Sequence, residues 1–151
     1  MPYKVRIEDV TAPRPIAVVR RQARKAELPR VIPQACGEVW NVVRAEKLKA
    51  GRHVAVYLDG VMNLEIGVEL DSPFAGSGDV VVSALPTGTI ATTTHFGPYP
   101  QLHAAHQAIH DWCDASGRTF AGPSWEIYGH WEDSWNTNPS KIRTDVYYLL
   151  K

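Results

Sequence analysis

Long apolar runs are missing from this sequence. No stretch approaches the ~18 uninterrupted apolar residues that a membrane-spanning helix requires, and the opening residues MPYKVRIEDV carry charge where a secretory signal would be apolar. Both absences point to a soluble, cytoplasmic protein. Cysteine is scarce: Cys36 and Cys113 stand far apart and in no C-x-x-C spacing, so they read as small apolar residues in a reducing compartment, not as a staple or a zinc site. Charge of one sign is not in excess, with 16 Lys+Arg against 16 Asp+Glu. Domains that grip phosphates carry a surplus of cations, so nucleic acid is disfavoured as a partner. The one basic run, Arg20, Arg21, Arg24, Lys25 and Arg30, reads as a solvated loop. A G-x-S-x-G elbow, a glycine-rich phosphate loop and a dinucleotide fingerprint are also lacking, which leaves serine-nucleophile, nucleotide and cofactor chemistry unsupported. No cofactor is expected.

What is present is a chain of 151 residues, long enough for one real core and short for two. Residues 3–10 alternate Tyr3, Val5 and Ile7 against Lys4, Arg6 and Glu8, the period of a half-buried strand. The Pro-containing segment 12–15 ends it and Ile16–Val19 begins a second strand, with a hairpin as the simplest connection. From Pro33 to Leu48 the period lengthens, and Cys36, Val39, Trp40 and Val43 share one helical face. His53–Leu58 and Met62–Leu70 read as strands joined by a turn at Asp59-Gly60. After the Gly/Ser-rich connector 73–79 the same order returns: strands at Val80–Leu85 and Thr89–His95, a helix over Pro100–Ser116, then strands at Ser124–Trp131 and Lys141–Leu150.

The halves can be laid over each other, Ile16-Ala17 on Ile90-Ala91, Val56-Tyr57 on Ile127-Tyr128, and Glu65-Ile66 on Asp145-Val146. The fold class expected is therefore α+β: one domain over residues 1–151, with duplicated ββαββ halves at about 3–72 and 79–150. Pseudo-twofold antiparallel sheets would carry one helix each and leave a central cleft, where ligands preferentially sit.

Four segments then carry a resemblance: Leu85-Pro86-Thr87-Gly88-Thr89-Ile90-Ala91, His95-Phe96-Gly97-Pro98-Tyr99, Trp125-Glu126-Ile127-Tyr128 and Thr144-Asp145-Val146-Tyr147. Their order and spacing resemble the GyrI-like small-molecule-binding domain, which also serves as the effector-binding domain of some AraC-type and MerR-type multidrug regulators. The resemblance covers nearly the whole chain. It implies an SHS2-type duplication with an aromatic-lined cleft, a buried or half-buried glutamate at the position of Glu126, and bulky, often cationic aromatic ligands. Stand-alone members of the family include hydrolases of strained cyclopropane-bearing toxins. A protein partner, such as a gyrase subunit, is a third class the resemblance allows.

Alternation along residues 124–131 places Glu126, Tyr128 and His130 on one strand face and Trp125, Ile127 and Trp131 on the other. Glu126 would attract a cation or act as general acid or base, and Tyr128 would stack or donate a hydrogen bond; an exposed polar strand face satisfies the same spacing. Tyr57 is the first-half equivalent of Tyr128, and Ala55 that of Glu126, so the cleft would be aromatic on both walls and acidic on one. Asp145 and Tyr147 share a face of the last strand, with Glu65 the counterpart of Asp145, and are secondary candidates. Trp131 and Trp135 flank an insertion over 132–140 that would cover the cleft. His103, His106 and His110 fall within about 60° of one another on a helix, but no H-E-x-x-H accompanies them, and a solvated or core-edge role is expected in place of a metal. Loss of water in an aromatic pocket should raise the pKa of Glu126.

Overall fold

A computed structural model describes residues 3–59 and 63–151. The strands are β1 (Arg6–Val10), β2 (Pro15–Gln22), β3 (Ala50–Tyr57), β4 (Asn63–Leu70), β5 (Val81–Ala84), β6 (Gly88–Phe96), β7 (Phe120–Tyr128) and β8 (Arg143–Leu150). The helices are α1 (Leu28–Ala45), α2 (His103–Ser116) and the single turn α3 (Ser134–Thr137). Gly60 and Met62, assigned above to a turn and a strand start, lie outside the described residues.

All eight strands form one antiparallel sheet in the order β1-β6-β8-β7-β3-β4-β2-β5. That order is symmetric about the β7–β3 contact, and each half contributes three neighbouring strands, β3-β4-β2 and β6-β8-β7, with its fourth strand on the far edge beside the other half. The expected β1–β2 hairpin does not form. β1 pairs with β6, Ile7 opposite Ala91, while β5 pairs with β2, Val82 opposite Ala17. Each half therefore gives its leading strand to the other. The connection from Thr11 to Arg14, with Pro13 in it, is spent on crossing between halves and not on a tight turn.

Both helices lie on the same face of the sheet. The buried stripe of α1 is Ala35, Val39 and Val43, against Ala17, Val19, Ile66 and Val68. The stripe of α2 is Ala105, Ile109 and Cys113, against Ala91, Val146 and Leu150. The α1 stripe is rotated slightly from the face read in the sequence, which leaves Trp40 at 40% exposure, tilted against His53. α1 begins earlier than the periodicity indicated. A 3-10 turn over Lys25–Glu27 leads into it, held by the Glu27 carboxylate, which accepts the Arg24 backbone N–H at 2.9 Å, and Pro29 occupies the first turn of α1, where no amide proton is needed. α2 ends at Gly117 in the left-handed conformation, φ 68°. A third cluster, with Ile16, Val18, Val54, Val56, Ile90, Trp125 and Ile127, fills the opposite, helix-free face.

Gly67 on β4 shows how tightly the sheet is coiled. A Cβ there would come within 1.8 Å of the Ala17 carbonyl oxygen on β2, so only glycine fits this close backbone approach.

Candidate functional site

The two halves meet where β3 runs antiparallel to β7. The register pairs His53 with Tyr128, Ala55 with Glu126 and Tyr57 with Ser124. Under the internal symmetry Tyr57 and Tyr128 are equivalent, as are His53 and Ser124, so Ala55 and Glu126 face each other on the pseudo-twofold axis itself. Cross-strand partners share a sheet face, and this face is the one that carries the helices. Glu126 thus sits midway between α1 and α2, with a tyrosine arriving from each half.

The carboxylate is 5% exposed and its oxygens are engaged. Oε1 accepts the Tyr57 hydroxyl at 2.9 Å and the Tyr128 hydroxyl at 2.6 Å. Oε2 accepts His106 Nε2 at 2.6 Å, and His106 Nδ1 lies 2.6 Å from the Tyr148 hydroxyl. A carboxylate only accepts, so Nε2 carries the proton shared with Glu126. Tyr99 closes the outer side, edge-on to Tyr128 with ring centroids 5.9 Å apart.

Burial by itself would raise the pKa of Glu126, as expected from the sequence. The hydrogen bond and charge of His106, followed by the bonds from Tyr128 and Tyr57, outweigh it and hold the carboxyl below its usual value. The expected rise is thereby corrected. Spacing along one strand could not reveal three donors brought from β3, β7 and α2. Burial and the adjacent carboxylate push the Tyr57 and Tyr128 phenols well up, so both remain neutral donors. The result is a dehydrated, ionised carboxylate ringed by aromatic groups, suited to a cation with apolar substituents. Glu126 lines neither of two surface hollows of about 410 and 200 Å³, and a bulky compound has to part the contacts around it.

The remaining candidates lie elsewhere. Asp145 pairs in register with Ile127, which puts it and Tyr147 on the helix-free face. There Asp145 accepts Thr94 at 2.8 Å and forms ion pairs with Arg52 and Arg143 at 3.3 and 3.2 Å. Glu65 shares that face, bound by Arg20 and Ser83 at 3.1 and 2.6 Å. The strand ends at Tyr128, so His130 and Trp131 are not on it. Trp131 is 52% exposed and packs edge-on against Trp135.

Two site residues were missed in the sequence. His106 was noticed only within the triplet of helical histidines, whose members have separate surroundings: His103 meets the Pro100 carbonyl at 3.1 Å, and His110 packs on Phe120 and Tyr148. Its position next to the buried Ala105 was the usable signal. Tyr148 was legible from alternation with Val146 and Leu150. No group of three His, Cys, Asp or Glu poised for a metal occurs among the described residues, and none of their helices is long and apolar enough to cross a membrane.

Residues 3–151 match the family model of the GyrI-like small molecule binding domain. No curated protein matches the chain at a significant level. Among solved structures, the EcmrR C-terminal domain superposes with a TM-score of 0.78 at 18% identity, covering 100% of this chain and 99% of that one. The protein SAV2435, solved bound to tetraphenylphosphonium, gives 0.69 at 16% identity, covering 100% and 94%. A hydrolase encoded by lin2189 of Listeria innocua gives 0.61 at 11% identity, covering 99% and 93%. At these identities the structural likeness is one of fold.

Proposed function

Given that this chain belongs to the GyrI-like small-molecule-binding domain family, we propose that it acts in the cytoplasm by holding a bulky apolar or cationic organic compound between α1 and α2. The positive centre would lie at Glu126, with Tyr57 and Tyr128 as flanking aromatic contacts. The observation that carries this reading is the ionised carboxylate buried on the symmetry axis. Dehydrating a charge is expensive, and His106 and the tyrosines offset that cost only by occupying both oxygens. A cation that displaces His106 from Oε2 replaces one charge-assisted contact with another, while its aryl groups gain apolar burial. SAV2435, which shares the fold, binds such a cation.

The test is calorimetric titration with tetraphenylphosphonium beside a neutral compound of similar size, triphenylphosphine oxide. Selective binding of the cation, weakening as pH falls through the carboxylate range, supports the proposal. Equal affinity for both compounds removes Glu126 from it.

A second reading is hydrolysis of electrophilic cyclopropanes, favoured by the hydrogen-bonded chain from Tyr148 through His106 to Glu126 and by the hydrolase of the same fold. Glu126 would take a proton from water as the oxygen bonds to a ring carbon. The ring C–C bond would break, and its electron pair would pass to the activating group, which is then protonated. Product formation that disappears in Glu126→Gln identifies this activity; binding without product excludes it for the compound tested.

A further inference from the structure

The exchange of leading strands sends two connections across the helix-free face, that between β1 and β2 and that between β5 and β6. They are tied together by the Leu85 N–H, which donates to the Arg14 carbonyl at 2.9 Å. Arg14 is anchored in turn: its guanidinium donates to the Leu70 carbonyl at 2.9 Å and to Asp71 at 2.8 Å. The connections are therefore fixed as a bracket over the sheet, and beneath them lies a cavity of about 200 Å³. Trp125, Ile127 and Tyr147 line it from the sheet, Glu8 and Val10 from β1, and Ala12 and Arg14 from the bracket. It is separated from Glu126 by the thickness of the sheet.

Three features of this cavity specify an occupant. Trp125 and Tyr147 are stacked, with planes 8° apart and centroids at 5.5 Å, which offers a flat aromatic surface for another ring. A dry apolar cavity of about 150 Å³ accommodates benzene, so this one takes a single six-membered ring with a short substituent and is too small for a multi-ring cation. The charges are unevenly committed. Arg14 is spent on Asp71 and Leu70, and Arg52 on Glu69 and Asp145 at 3.1 and 3.3 Å. Glu8 has only a long contact to Arg6 at 3.9 Å, with both side chains about half exposed at 45% and 48%. Among the described residues the Tyr147 hydroxyl has no hydrogen-bond partner, and Thr92, its neighbour in register, keeps a buried hydroxyl without one. The Tyr147 hydroxyl and the Glu8 carboxylate are thus the lining groups with polar capacity left over.

We propose that this cavity is a second ligand site, separate from the Glu126 groove, for a one-ring aromatic amine whose ring lies against Trp125 and Tyr147 and whose ammonium meets Glu8. The site does not depend on the reading of Glu126. Benzylamine, titrated into the full chain and followed through the Trp125 indole N–H resonance, is the probe. A saturable shift is expected, weakened about two- to five-fold by Glu8→Gln, as for a solvent-exposed ion pair. It should vanish in Ala12→Trp, which fills the cavity from an exposed loop position, and persist in Glu126→Gln and with tetraphenylphosphonium present. An unchanged melting temperature shows that each variant is folded. Absence of a saturable shift, persistence in Ala12→Trp, or loss in Glu126→Gln overturns the proposal, the last because the amine would then occupy the Glu126 groove.

Discussion

Replacing Tyr128 by Phe removes one of the two phenols on Glu126 Oε1 and little else, since the ring is retained. The lost bond is short, 2.6 Å, and runs to an ionised acceptor, a class worth about 1.5–3 kcal/mol. For a domain of this size, 1 kcal/mol lowers the melting temperature by about 2–4 °C, so a fall of roughly 3–12 °C at neutral pH is expected. The pH dependence identifies the cause. Glu126 has a depressed pKa in the folded protein, so its stabilising contribution is complete above the unfolded carboxylate value of about 4.3 and is lost as pH falls through the folded value. In Tyr128→Phe that depression is smaller, and the gap between variant and parent should narrow as the pH is lowered through this range. Denaturant unfolding at pH 7.5 and at successively lower pH measures it. Tyr147→Phe is the control, because that hydroxyl has no partner among the described residues. A penalty for Tyr128→Phe that is independent of pH, or no larger than the control, would refute the assigned role of the phenol.

Further expectations follow from the same contacts. His106→Ala should lower stability by leaving Oε2 unpaired in a buried site, yet tighten binding of tetraphenylphosphonium because the cation no longer competes with an imidazole; thermal unfolding and calorimetry on one sample check both signs. Gly67→Ala should cost more than about 4 kcal/mol or abolish folding, since the added carbon meets backbone and not a movable side chain, and a folded variant with a near-parental melting temperature would contradict the packing described. Tyr57 and Tyr128 have raised pKa values in the folded state, so stability should be complete below the unfolded tyrosine value of about 10 and decline as pH rises beyond it. Absorbance at alkaline pH should show these phenols ionising only as the protein unfolds.

Much of the fold could be read from the chain because its signals are local. Alternation marked β1 and β7, helical spacing marked α1 and α2, and the repeated Ile-Ala and aliphatic-Tyr pairs exposed the duplication. The strand exchange was not legible. Val5 and Ile7 alternate in the same way whether β1 pairs with β2 or with β6, and only the path of the connection decides. In the candidate site, Glu126, Tyr57 and Tyr128 could be grouped from the sequence because two lie two residues apart on one strand and the third is a repeat equivalent. Asp145 and Tyr147 were grouped with them although register places them on the reverse face, a distinction that needs the β7–β8 pairing. For His106 the sequence offered only its place beside the buried Ala105: its partner is 20 residues away on another element, and the sign of the Glu126 pKa shift depended on that contact.

The central claim, that a buried charge on the symmetry axis selects the ligand, is tested most directly by Glu126→Gln. This substitution keeps the shape of the side chain while removing its charge. With tetraphenylphosphonium as titrant, affinity should fall by about 1–3 kcal/mol, roughly five- to 150-fold, with binding of triphenylphosphine oxide unchanged or improved. Parental affinity for the cation in the folded variant would contradict the account.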